Sequence, residues 1–246
     1  ARARLFNDPV GRYYIPATVT PGAENLFSFH DQIVINEIMY HYRPEYDDPE
    51  VPGSKFVENP EEWVELYNRG DVPIDLSGWR LRDGIRYEFS EATVLAPNSY
   101  LVVADDAERL AEKYPDITIL GGYSGTLANG DERVELQDAA GNPVDAVHYY
   151  DDAPWPNYAD GGGSSLELRN PHMDNSKPQA WLASDESLKS KWHTIRYRAT
   201  AARPVYGPGV RSFHELRLGY IQAGECLIDN VKVIEDPDGI NRQLVR

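Results

Sequence analysis

Three sets of side chains in this 246-residue sequence could do chemistry: clustered carboxylates, scattered histidines and aromatic rings in a loop. Hard divalent cations are held by clustered oxygen ligands. The chain offers Asp47, Asp48 and Glu50 in one stretch, Asp151, Asp152 and Asp160 in another, and Asp229 beside Asn230 in a third. None follows the DxDxDG spacing of an EF-hand loop, and in so acidic a chain a solvated charge cluster is the ordinary reading. The histidines, at positions 30, 41, 148, 172, 193 and 214, form no HExxH pattern, and the single cysteine, Cys226, cannot build a thiolate zinc site. The stretch GYSGTL at 122–127 lacks the helix that follows a nucleophilic serine elbow, so it reads as a loop between strands. Two carboxylates at a defined separation can hydrolyse a glycoside, but nothing in the sequence defines one. No catalytic residue is assigned.

The aromatic rings divide by context. Trp63, Trp79 and Trp181 are expected in a core. Trp155 and Tyr158 lie in the proline- and glycine-rich stretch 151–165, and Tyr149 and Tyr150 lead into it. Flat exposed rings stack on sugar faces, which makes these four the candidate binding residues. The bland alternative is that they cap the open end of a sandwich.

The elements that would position these groups are short strands. IVINEIMY and EEWVELYN alternate apolar and polar residues, as half-buried strands do. In the second, Val64 and Leu66 share one face, and Trp63, Glu65 and Tyr67 the other. WRLRD, YEFS, SYLVVADD, ERVELQD and PVDAVHYY follow, punctuated by Arg69-Gly70-Asp71, Leu76-Ser77-Gly78, Asn129-Gly130-Asp131 and Ala140-Gly141-Asn142. Asn-Gly supplies the positive φ of tight hairpin turns, and strands at this spacing predict an all-β sandwich or barrel. One helix is predicted over 105–114, with acidic residues in its first turn and Pro115 beyond its end. Residues 42–60, rich in proline and acid, read as a surface loop between the first two strands.

Charge narrows the partners. Asp and Glu number 40 against 24 Lys and Arg, a formal net charge of −16. Phosphate backbones are bound by releasing counterions with basic side chains, so no nucleic-acid partner is expected. The longest apolar run, at 101–104, is far short of the roughly 20 residues needed to cross a bilayer. Only six of the basic residues are Lys, and such an acidic surface stays soluble by self-repulsion, which suits an extracellular setting. A lone cysteine rules out an intrachain disulfide, yet a domain of this size folds without one. The start carries no apolar signal-peptide core, and both ends look like cuts through a longer multidomain protein.

In order, INEIMY, EEWVELYNRGDVPIDLSGWRLRDG, LAPNSYLVVADD, LANGDERVELQDAAGNPVDAVHYYDD and DGGGSSLELRNPHMDNSKPQAWLAS resemble the bacterial lamin-tail domain. The most specific part is Trp-Val-Glu-Leu-Tyr-Asn followed by Asp-Leu-Ser-Gly-Trp. This resemblance implies an immunoglobulin-like β-sandwich, in agreement with the strand pattern. It also implies a non-catalytic module of large secreted or surface proteins, joined to hydrolases, nucleases, kinases of the spore-coat type or carbohydrate-binding domains. The animal relatives belong to nuclear lamins, but the coiled-coil rod of a lamin is absent from this sequence. Near the end, WHTIRYRATA and FHELRLGYIQAGECLIDNVKVIED are similar to the closing strands of galactose-binding-like jelly rolls, whose first half is not visible upstream. Asp229 resembles the position where such folds hold a structural calcium, the one cofactor weighed.

The expected organisation is an N-terminal extension or end of a preceding module at 1–32, the lamin-tail domain at 33–184, a linker at 185–191 and a partial jelly roll at 192–246. The expected role is a structural or interaction module that attaches a larger protein to polysaccharide or other envelope components. The alternatives are an accessory domain of a secreted hydrolase whose active site lies elsewhere, and an extracellular scaffold that self-assembles through its sheet edges.

Overall fold

The structure, a computed structural model, describes residues 29–46 and 56–186, with shorter pieces at 3–4, 13–16, 21–23, 194, 196, 218, 227–235, 238–240 and 243–244. Its first strands are β1 (Ala3–Arg4), β2 (Tyr13–Tyr14), β3 (Ile33–Met39), β4 (Glu45–Tyr46), β5 (Phe56–Val57), β6 (Trp63–Asn68) and β7 (Ile74–Asp75). Then come β8 (Arg80–Asp83), β9 (Ile85–Glu88), β10 (Val94–Leu95), β11 (Tyr100–Ala104), helix α1 (Ala107–Lys113), β12 (Ile119–Gly121) and β13 (Ser124–Gly125). The last are β14 (Asp131–Gln137), β15 (Pro143–Tyr150), β16 (Leu166–Leu168), β17 (Trp181–Ala183), β18 (Ile234–Glu235) and β19 (Gln243–Leu244).

Six strands form one sheet in the order β12–β11–β6–β3–β16–β17, and five form a second in the order β13–β9–β8–β14–β15. Ile33, Ile35, Val64, Leu66 and Val103 of the first pack with Leu81, Ile85, Val134, Leu136 and Val147 of the second, all buried in one core. This is an immunoglobulin-like β-sandwich. Trp79 and Trp181 lie in that core. Trp63 does not: it joins Met39, Val102, Ala104 and Leu110 in a second, smaller cluster on the outer face of the six-stranded sheet, where α1 covers it. The helix starts at its N-cap Asp106, whose side chain accepts from the Arg109 N–H at 3.0 Å, satisfying a donor that the first turn leaves open.

Strict alternation along β3 would put Glu37 and Met39 in the core with Ile33 and Ile35. A register shift between Ile35 and Glu37 prevents this. The bulge at Asn36 reverses the phase, so that Ile38 and Tyr40 turn inward and Glu37 and Met39 outward. Asp145 ties the sheets together: its Oδ2 accepts from the Ile35 N–H and from Asn175 Nδ2, each at 2.7 Å.

Two sequence expectations change. Asn129-Gly130 makes no positive-φ hairpin turn, because it joins β13 to β14 and these strands are not neighbours; the β14–β15 hairpin instead uses Gly141, at φ 85°. The stretch 151–165 is no free excursion, since Trp155 and Ala159 are buried in the main core. Within the expected 42–60 loop, β4 and β5 pair as a short ribbon. Of the stretches resembling a jelly roll, WHTIRYRATA and residues 213–226 lie almost wholly outside the described residues. Among the described residues 227–235, Ile234–Glu235 is strand, paired with Gln243–Leu244.

Candidate functional site

The four candidate rings separate by burial. Along β15, period-two alternation sends Val147 and Tyr149 inward and His148 and Tyr150 outward. Tyr149 is 0% exposed, stacks on Tyr40 with centroids 4.5 Å apart, and donates its hydroxyl to the Ala128 carbonyl at 2.8 Å. Trp155 is also buried, its ring between Tyr150 at 6.3 Å and Trp181 at 6.2 Å. These two therefore offer no free face, contrary to the expectation of exposed rings; the core claims them because large flat side chains gain most by leaving water. Tyr150 and Tyr158 remain 43% and 48% exposed. Tyr150 stacks on His148, with centroids 4.6 Å apart and planes 20° from parallel, and His148 Nε2 lies 3.0 Å from Asp131 Oδ2. Strand β15 is an edge strand, so this ring pair stands at the rim of the sandwich.

Among the described residues, the carboxylate clusters do not assemble into a cation site. Asp47, Asp48 and Glu50 lie outside the described residues. Asp160 leaves its sequence neighbours and faces His41 Nδ1 at 2.5 Å, while His41 Nε2 is 3.4 Å from Glu58. His41 is buried beside Tyr40, whose phenol is held well above its ordinary range by burial and then by the charges of Asp160 and Asp151. Asp229 is exposed, and its Oδ1 accepts the Asn230 N–H at 2.7 Å. Among the described residues no three His, Cys, Asp or Glu side chains are grouped as metal ligands. Of the other histidines, His30 packs on Trp79 and His172 is exposed, while His193 and His214 lie outside the described residues.

A feature that sequence reasoning missed lies on the outer face of the six-stranded sheet. Glu65 of β6 is directly opposite Glu37 of β3, and Glu37 is directly opposite Glu167 of β16. Glu65 Oε1 accepts from Asn36 Nδ2 at 2.9 Å, and Ser165 Oγ donates to Glu37. Burial pushes the Glu65 carboxyl up to about 7; the Asn36 hydrogen bond opposes this, and the charges of Glu37 and Glu167 add to it. Glu37 and Glu65 also line a concavity of about 150 Å³ whose apolar wall includes Met39, Trp63, Val102 and Leu110. The local signal was one glutamate at the centre of each of three strand stretches, NEI, VEL and LEL, the last two with apolar residues on both sides.

A family model described as Lamin Tail Domain matches residues 28–151, half of the chain. The chain belongs to the lamin tail domain family. No curated protein matches it. The match ends just after β15, and in this lamin tail domain the six-stranded sheet continues through β16 and β17 to Ala183. The immunoglobulin-like lamin tail domain is a non-catalytic fold, suited to a structural or interaction role. Among the described residues, no helix is long and apolar enough to cross a membrane.

Proposed function

We propose that this lamin tail domain is a non-catalytic attachment module of a larger secreted or surface protein, and that it holds neighbouring domains against polysaccharide of the envelope. The observation that supports this most is the exposed Tyr150–His148 pair at the rim of the sandwich, with Tyr158 exposed in the turn that follows. Tyr150 is held by its stack on His148 and by the nearby buried Trp155. A ring already held in place loses little conformational freedom when a sugar stacks on it. The same surface would serve an accessory domain of a secreted hydrolase, so the two settings share one test.

That test is retention of the purified chain on a panel of insoluble and soluble polysaccharides, with calcium and again with a chelator. One glycan class is expected to retain it, and Tyr150→Ala combined with Tyr158→Ala to release it. Release by the chelator would give calcium a supporting part, with Asp229 as the residue to vary next. Failure of every polysaccharide to retain the chain, or full retention of the double variant, would overturn the proposal.

A further inference from the structure

The attachment reading uses the rim of the five-stranded sheet and leaves the outer face of the six-stranded sheet unexplained. One cross-strand row runs across that face: Leu182, Glu167, Glu37, Glu65, Val102 and Ile119, each directly opposite the next. Like charges directly opposite one another weaken a sheet, and here three glutamates stand side by side. On one side of the row is the concavity with its apolar wall. Trp63, only 8% exposed, lines that wall, and its indole N–H is buried without an acceptor. On the other side, the Tyr67 and Tyr100 rings lie 4.6 Å apart, and Tyr100 is 52% exposed.

We propose that this face docks a basic segment of a partner protein, with a Lys or Arg side chain over the Glu65–Glu37–Glu167 row and an adjacent apolar side chain in the concavity against Trp63. Charge complementarity selects the occupant. A planar guanidinium bridges neighbouring carboxylates bidentately, and an aromatic ring beside the row adds cation–π attraction. The net charge of −16 steers a basic partner toward the domain and repels phosphate-bearing ones. A bare metal ion is the poorer fit, because no three of these carboxylates are grouped as ligands among the described residues.

The test uses the full chain and a fluorescein-labelled Gly-Leu-Arg-Leu-Arg-Leu-Gly peptide, read by anisotropy at physiological ionic strength. Saturable binding is expected. The combined variant E37Q, E65Q and E167Q should weaken it at least tenfold while leaving polysaccharide retention unchanged, and Tyr150→Ala should leave peptide binding unchanged. If the triple variant does not fold, E65Q alone, whose amide oxygen still accepts from Asn36, should weaken binding about threefold. A wild-type chain that does not bind the peptide overturns the proposal. So does a glutamine variant that binds as wild type does, since attraction would then come from overall charge. Equal binding of a peptide with serine for every leucine overturns it as well, because the concavity would have no part.

Discussion

Glu65→Gln should make the protein more stable at neutral pH, and the gain should vanish in mild acid. An unfolded glutamate titrates near its ordinary value of 4.5, whereas folded Glu65 holds its proton up to about 7. The folded state therefore binds more protons between these values, and its stability falls as pH rises from about 4.5 to about 7. Each pKa unit is worth about 1.4 kcal/mol, so the full interval corresponds to roughly 3 kcal/mol. Part of the side chain meets solvent, which brings the expected gain in the glutamine variant to about 1–2 kcal/mol. At roughly 2–4 °C per kcal/mol for a chain of this size, the Tm should rise by about 4 °C at pH near 8. Glutamine keeps the acceptor for Asn36 Nδ2, so no hydrogen bond is lost. Thermal melts of both proteins between about pH 4 and pH 8 check this, because titrations not coupled to Glu65 cancel in the difference. Equal Tm values near pH 8, or a difference that persists undiminished near pH 4, would refute the account of Glu65 as a charge held at a cost.

Two further perturbations probe the scaffold. Asp145→Ala removes the acceptor shared by the Ile35 N–H and Asn175 Nδ2, leaving a donor of fully buried Ile35 unpaired; urea unfolding should show a loss of about 2–4 kcal/mol. Tyr149→Ala should cost about 3–5 kcal/mol as a buried aromatic deletion. Its exposed neighbour Tyr150→Ala should stay within about 0.5 kcal/mol of wild type. The pair of melts separates a core ring from a surface ring one residue away.

Much of the scaffold was legible in the chain because alternation is a local property. Val64 and Leu66 turn inward and Glu65 outward as their spacing dictates, and Asp106 caps α1 where the acidic run begins. The Trp-Val-Glu-Leu-Tyr-Asn signature likewise identifies the family before any coordinate is known. The phase of β3 was not legible. INEIM alternates acceptably in either register, and the core chose the one in which a bulge spares Glu37 from burial. Nor could composition tell Tyr149 from Tyr150, or show that the loop around Trp155 folds back onto Trp181.

Sequence alone thus determined the longer strands of the sandwich, which face of β6 is apolar, and that the chain is strongly acidic. Tertiary structure decided which strands become neighbours and in what register. That choice set Glu65, Glu37 and Glu167 side by side from three distant segments, and it brought Asp160 to His41. Local pattern depends on the few residues around each position, whereas register is a sum over packing across the whole core. The crowding of that acidic row, which helps to raise the pKa of Glu65, is therefore visible only once the sheet is assembled.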